Sequence, residues 1–192
     1  MALDALVSDI RACRLCAGHL EPRPVLRVSS TARLLIAGQA PGTRVHASGV
    51  PFSDPSGERL RAWLDLSPER FYNEADIAIV PMGFCFPGLD AKGGDRPPRP
   101  ECARTWRAPL MAQMPQLRFR VLIGAYAQRW HLGDRVRSGL TATVAAFRDY
   151  LPEAMPLPHP SWRNNGWLKQ NPWFEEQVLP ELRARVVQAL GS

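Results

Sequence analysis

Two short stretches hold the residues best suited to chemistry. The first is Gly38-Gln39-Ala40-Pro41-Gly42, followed by Pro51-Phe52-Ser53-Asp54-Pro55-Ser56-Gly57. The second is His159-Pro160-Ser161-Trp162-Arg163-Asn164-Asn165. A neutral imidazole N–H such as that of His159 can stabilise an anion developing on a leaving group, as preorganised donors do in an oxyanion hole. The Gln39 amide can hold a water molecule. Phe52 offers a flat apolar face on which a base can stack. The sequence contains no Walker loop, no H-E-x-x-H and no G-x-S-x-G elbow, so those routes to phosphoryl transfer, zinc hydrolysis and serine catalysis are absent.

The chain has four cysteines, Cys13, Cys16, Cys85 and Cys102, the first two spaced C-x-x-C. In a reducing compartment that spacing points to a metal or redox site rather than a disulfide framework. Four thiolates can hold zinc or an iron–sulfur cluster, and four buried thiols can equally be small core residues. Composition does not separate these readings.

The surrounding residues say how the two stretches are held. Arg33–Ala37 reads as a buried strand that runs into the glycine-rich turn at 38–55. Asp54 is placed to cap a helix with Pro55 at its first position. Leu60, Trp63 and Leu64 then fall on one helical face. A second apolar strand, Ile77–Val80, opens into a Gly/Pro-rich loop to residue 100. Pro100 starts the next helix. Arg120–Gly124 is the third strand, followed by a helix over 125–131; 133–142 reads as a loop and 144–150 as helical. Met155–Pro158 is a short extended segment whose prolines suit a strand end or an edge, and it delivers His159. Residues 3–12 have helical apolar spacing. Asn171 is expected to cap a last helix with Pro172 at its first position, and Pro180 to kink that helix. The alternation of strand and helix predicts an α/β fold: a central, mostly parallel four-stranded sheet with helices on both faces, formed by residues 1–192 as one domain. Loops 38–55, 81–100 and 159–170 leave the carboxyl ends of strands, where such sheets bind ligands.

Composition narrows the setting. Lys and Arg total 24 against 18 Asp and Glu, a formal +6, in a chain of 192 residues. Arginine greatly outnumbers lysine, and its planar fork suits phosphates and base faces. A basic chain with six Trp and seven Phe is compatible with nucleic-acid binding. No apolar run approaches the ~18 residues of a membrane span. No basic region followed by an apolar core opens the sequence, so the expected location is cytoplasmic, with no membrane partner.

Taken together, the two stretches resemble motifs of the uracil-DNA glycosylase superfamily. Gly38-Gln39-Ala40-Pro41-Gly42 resembles its water-positioning turn and is close to the Gly-Glu-Ala-Pro-Gly form of the iron–sulfur-containing family 4. Gly49-Val50-Pro51-Phe52 with Ser56-Gly57 is similar to the segment whose Phe stacks on the flipped base. His159-Pro160-Ser161-Trp162-Arg163-Asn164 looks like the His-Pro-Ser-Pro-Arg-Asn loop of single-strand-selective uracil glycosylases. The four cysteines resemble the family 4 cluster ligands in order and approximate spacing. The resemblance runs from about Cys13 to Trp173.

The resemblance implies the superfamily's three-layer fold and a monofunctional glycosylase that hydrolyses the bond between a base, uracil or a related deaminated one, and its sugar. A base inside a duplex must be extruded before it can be read and cleaved. Gln39 and His159 are then the catalytic candidates. Gly38, Ala40, Phe52 and Phe84 line the base pocket. Ser161, Trp162, Arg163, Asn164 and Lys169 meet DNA, with Trp162 either wedging into the space left by the base or packing on Trp167 or Trp173. Cys13, Cys16, Cys85 and Cys102 hold a structural [4Fe-4S] cluster, and the chemistry itself needs no metal. The expected partner is uracil-containing DNA, single- or double-stranded, engaged by a monomer. Three departures accompany the likeness. Position 40 is Ala where the most active members carry Asp, Pro81-Met82-Gly83-Phe84 lacks the Asn that reads uracil in family 4, and Trp162 replaces the Pro of the related loop. They leave two alternatives open: a divergent, non-catalytic member that binds DNA or a damaged base, and an enzyme acting on a small nucleoside or nucleotide.

Overall fold

The computed structural model describes residues 2–191. Four strands form one all-parallel sheet: β1 (Leu34–Ala37), β2 (Ile77–Ile79), β3 (Phe119–Ile123) and β4 (Ala154–Leu157), in the order β2-β1-β3-β4. Leu35 pairs with Ala78 on one side and Arg120 on the other, and Val121 pairs with Met155. Parallel strands covered on both faces read as unbroken apolar runs, which is why 34–37 and 77–80 are legible as strands. Pro156 sits in β4, at an edge, where its missing N–H costs no ladder bond to a further strand.

The helices are α1 (Leu3–Ala12), α2 (Thr43–Ser48), α3 (Pro55–Leu64), α4 (Pro68–Phe71), α5 (Pro100–Cys102), α6 (Ala108–Ala112), α7 (Gly124–Leu132), α8 (Leu140–Ala145), α9 (Asn165–Gln170) and α10 (Leu179–Leu190). Alternate strand residues feed two cores. Leu34, Ile36, Val121, Ile123 and Leu157 pack with Leu60, Trp63 and Leu64 of α3 and with Leu182 and Val186 of α10. Leu35, Ala37, Ala78 and Leu122 pack with Leu6 and Ile10 of α1, Leu110 of α6 and Ala127 of α7. The result is the expected three-layer α/β arrangement.

Several local expectations are corrected. The turn at 38–55 is not all loop: α2 forms within it, burying Val45 and ending at Gly49, whose φ of 70° suits a left-handed C-cap. Asn171 does not cap a helix with its side chain. Its Oδ1 accepts from Trp173 Nε1 at 3.2 Å, and its Nδ2 donates to the Trp167 carbonyl at 2.8 Å. Helix α8 begins at Leu140, within the stretch expected to be loop. At Pro180 the helical path continues through a π-helical segment, Phe174–Val178, into α10. A second π-helical segment, Ala103–Arg107, precedes Pro109 of α6 in the same way. Proline lacks an N–H and crowds the carbonyl four residues back, and a wider turn at that point accommodates both.

The order β2-β1-β3-β4 has one further consequence. From β1 the chain moves to one side to make β2, then returns past β1 to make β3 on the other. The carboxyl ends of β1 and β3 therefore flank the reversal point, where an open parallel sheet forms a crevice.

Candidate functional site

A cleft of about 390 Å³ opens at this rim. Gly38, Gln39 and Ala40 reach it from the end of β1, Phe52 and Asp54 from the approach to α3, and His159, Ser161, Trp162 and Arg163 from the loop after β4. Pro81 and Asp95 close it from the loop after β2.

His159 follows directly from the β4 edge strand. Its Nδ1 lies 3.2 Å from the Ser161 backbone N–H, which donates to it. A neutral imidazole with Nδ1 as acceptor carries its proton on Nε2. Burial lowers the His159 pKa, against the opposing pull of Asp54 and Asp95. The ring is thus held as a neutral N–H donor. Asn164 braces the loop from within, its Nδ2 donating to the His159 carbonyl at 2.7 Å. Arg59 of α3 donates to the Ser161 carbonyl at 3.2 Å, tying the two stretches together.

Phe52 has φ 55°, a left-handed conformation that is rare and strained for a bulky residue. Its carbonyl oxygen accepts from Arg61 Nη1 at 3.2 Å and lies 3.1 Å from the Tyr72 hydroxyl. Those contacts stabilise the turn and present the ring to the cleft. The ring rests against Gly38, where a Cβ would come within 3.4 Å of Phe52 Cζ. Phe71 packs on it edge to face, with ring centroids 6.2 Å apart.

Asp54 caps α3 as expected, its Oδ1 accepting from the Gly57 N–H at 3.0 Å, and it lines the cleft as well. The Gln39 amide donates to the Arg96 carbonyl at 3.2 Å, which anchors the turn to the loop after β2. That loop folds back on itself. Arg96 N–H donates to the Gly88 carbonyl and Asp90 N–H to the Gly94 carbonyl. Arg163 Nη2 reaches across to the Gly93 carbonyl at 3.0 Å, and the Arg163 guanidinium lies over the Trp162 ring at 5.4 Å. Trp162 is 70% exposed, so it does not pack on Trp167 or Trp173. Those two rings instead pack on each other.

One residue expected in the base pocket lies elsewhere. Phe84 is 2% exposed in the core beneath α1 and lines the cysteine pocket, not the cleft. The backbone explains this: Met82 and Gly83 donate back to the carbonyls of Gly38 and Gln39, carrying the chain over the end of β1 to the other face. Lys169, expected on the DNA-facing surface, is exposed on α9 outside the cleft lining. One residue was missed. Asp95 brings a carboxylate to the turn, its Oδ2 3.6 Å from where a Cβ of Gly42 would be. The only signal for it was its place in a loop leaving a strand's carboxyl end.

On the far side of that loop, Cys13, Cys16, Cys85 and Cys102 line a single apolar pocket with Phe84 and Trp106. Burial pushes the Cys102 thiol up to about 12, and the Cys85 thiol also up. The Phe84 N–H donates to Cys102 Sγ at 3.3 Å. Trp106 Nε1 and Arg99 Nε, both at this pocket, are buried donors with no partner. Arg107 is fully buried and donates to the Pro81 carbonyl at 2.9 Å and to His131 Nε2 at 2.7 Å. Burial lowers its pKa to about 9, and the Cys102 sulfur opposes that shift. Among the described residues, no group of three or more His, Cys, Asp or Glu side chains is arranged to hold a metal ion, and no helix is long and apolar enough to cross a membrane.

A cleft at the carboxyl rim of a parallel sheet, lined by a neutral histidine and a strained aromatic, agrees with the sequence comparison. A family model described as the uracil DNA glycosylase superfamily matches residues 27–183, and the chain belongs to that superfamily.

Proposed function

We propose that this protein is a monofunctional DNA glycosylase that flips uracil, or a related deaminated base, out of DNA and hydrolyses the bond joining it to deoxyribose. The observation that carries this reading is His159, held neutral with its proton on Nε2, in one cleft with the Phe52 ring. The flipped base stacks on Phe52. As the glycosidic bond breaks, its electron pair leaves with the base, and His159 Nε2–H stabilises the resulting anion without transferring its proton. Water held near Gln39 and Ala40 adds to the sugar carbon. Ala40 offers no carboxylate to this water. Asp54 already gives one oxygen to the α3 cap, so Asp95, beside Gly42, takes the proton that the water loses. Arg163 contacts phosphate, and exposed Trp162 enters the helix where the base has left.

We propose that Cys13, Cys16, Cys85 and Cys102, which line one apolar pocket, would hold a [4Fe-4S] cluster. Thiols buried in apolar surroundings lose their protons only with a cation to compensate them, which a metal provides. The unpartnered Trp106 and Arg99 donors and the Phe84 N–H suit sulfur acceptors. When bound, the cluster supplies a covalent tie between the N-terminal segment and the loop after β2, and no step of the cleavage passes through it.

The test is release of free base from uracil-containing single strands and duplexes by the wild type, His159→Ala and Phe52→Ala. Release that is weakened in both variants is expected. No release by the wild type, or release indifferent to both changes, overturns the proposal.

A further inference from the structure

A second depression lies across a narrow ridge from the cleft. The ridge is built from residues 81–83 and 95–99: Pro98 packs on Gly83, where a Cβ would come within 3.0 Å of the Pro98 Cβ, and Gln39 holds the Arg96 carbonyl beneath it. Neighbouring residues of the ridge face opposite ways. Pro81 and Asp95 line the cleft, whereas Met82 and Pro98 line a shallow groove of about 470 Å³ together with Arg104, Tyr126, Arg129 and Trp130.

The groove has an unusual surface. Trp130 is 41% and Tyr126 37% exposed, among the few large apolar side chains left in solvent. Both belong to α7 and stand four residues apart, on one helical face. Trp130 is held rather than loose: the buried Arg107 guanidinium sits 5.1 Å from its ring centroid, and His131 packs against it edge to face. Arg104 and Arg129 add cationic groups, and among the described residues no carboxylate lines the groove.

Fixed, half-exposed aromatic rings flanked by arginines are the two elements of a single-strand binding track: faces for unstacked bases and charges for the backbone. A duplex keeps its base faces stacked and offers nothing to the rings. We infer that the groove binds a single-stranded stretch of the DNA whose target base occupies the cleft. This rests on the glycosylase reading. Pro81 lines the cleft and its neighbour Met82 the groove, and adjacent Cα atoms lie about 3.8 Å apart, so a strand crosses the ridge within a few nucleotides. The protein accordingly prefers single-stranded substrate, or duplex frayed beside the lesion.

The experiment measures binding of a uracil-free oligonucleotide, as a single strand and as a duplex, by fluorescence anisotropy over a salt series. Trp130→Ala and Tyr126→Ala each weaken single-strand binding by about tenfold and leave duplex binding unchanged. Trp130→Phe restores most of the loss. The double variant Arg104→Gln/Arg129→Gln lowers the salt slope for the single strand by roughly 1.4, at about 0.7 per phosphate contact. Tyr126, Arg104 and Arg129 are surface positions, so their variants test the groove even if Trp130→Ala disturbs Arg107. Equal weakening for strand and duplex, or no weakening in any variant, overturns the inference. Because the probe lacks uracil, the outcome is independent of catalysis. Excision without groove dependence removes this inference alone, and groove-dependent binding without excision removes the glycosylase reading alone.

Discussion

A Cβ placed on Gly57 would come within 1.8 Å of the carbonyl oxygen of Phe52. Gly57 lies at the start of α3, where its N–H meets the Asp54 cap, and the Phe52 carbonyl points into the space that any side chain there would fill. The turn therefore closes over glycine alone, and this close approach keeps Phe52 at its positive φ.

Gly57→Ala forces the turn open or unseats α3. A loss of about 3 kcal/mol is expected, at the upper end for an overpacked site. Chemical denaturation measures it. If the variant folds, its base release falls too, because the Phe52 ring is displaced; unchanged stability and activity would show that the contact is not restrictive.

His159→Ala lowers the turnover rate by about 10²–10³, the usual cost of losing one preorganised donor to a developing anion. The pH dependence follows from the direction of its shift. Burial depresses the His159 pKa below its ordinary value of 6.5. The active neutral form is complete above that value and persists below it, and rate is lost only as pH falls through the depressed value. A pH–rate profile whose acid limb sits at or above 6.5 contradicts the tautomer argument.

Asp95→Asn and Asp54→Ala separate catalysis from capping. Asp95→Asn lowers kcat by about 10²-fold, the low end for general-base groups, with thermal stability retained. Asp54→Ala costs about 1 kcal/mol of stability through the lost cap. Turnover and melting temperature, measured on both variants, show whether the roles divide this way.

Acid stability reports on the buried Arg107–His131 pair. Burial and the neighbouring Arg107 lower the His131 pKa to about 2 from 6.5. Above 6.5 neither folded nor unfolded chain protonates this ring. As pH falls below 6.5 the unfolded chain takes up a proton that the folded chain refuses, so stability declines progressively toward pH 2. His131→Gln flattens that decline between pH 7 and 5 in urea titrations.

Anaerobically purified protein is expected to be brown, with iron and labile sulfide, and Cys102→Ser to lose most of the visible absorbance. A colourless wild type without iron or sulfide would refute the cluster.

Much of this was legible in the residues. The apolar runs at 34–37 and 77–80, the Asp54-Pro55 start of α3 and the edge prolines of β4 are local signals, each set by a few adjacent side chains. Asn171 misled because its side chain found the Trp173 indole before any backbone N–H. Phe84 misled because sequence distance from a strand end does not say to which face a loop turns. That was decided by Met82 and Gly83 bonding back across the end of β1.

The sequence by itself determined the strand–helix alternation, the chemical types at the two stretches and their family. Periodicity and local hydrogen-bonding preference are written residue by residue. Only the tertiary structure decided which loops meet: that Asp95 stands beside Gly42, that Ser161 sets the His159 tautomer, that four cysteines from distant segments share one pocket, and that Trp130 and Tyr126 lie one ridge from the cleft. These are contacts between segments far apart in the chain, made by sheet order and by burial.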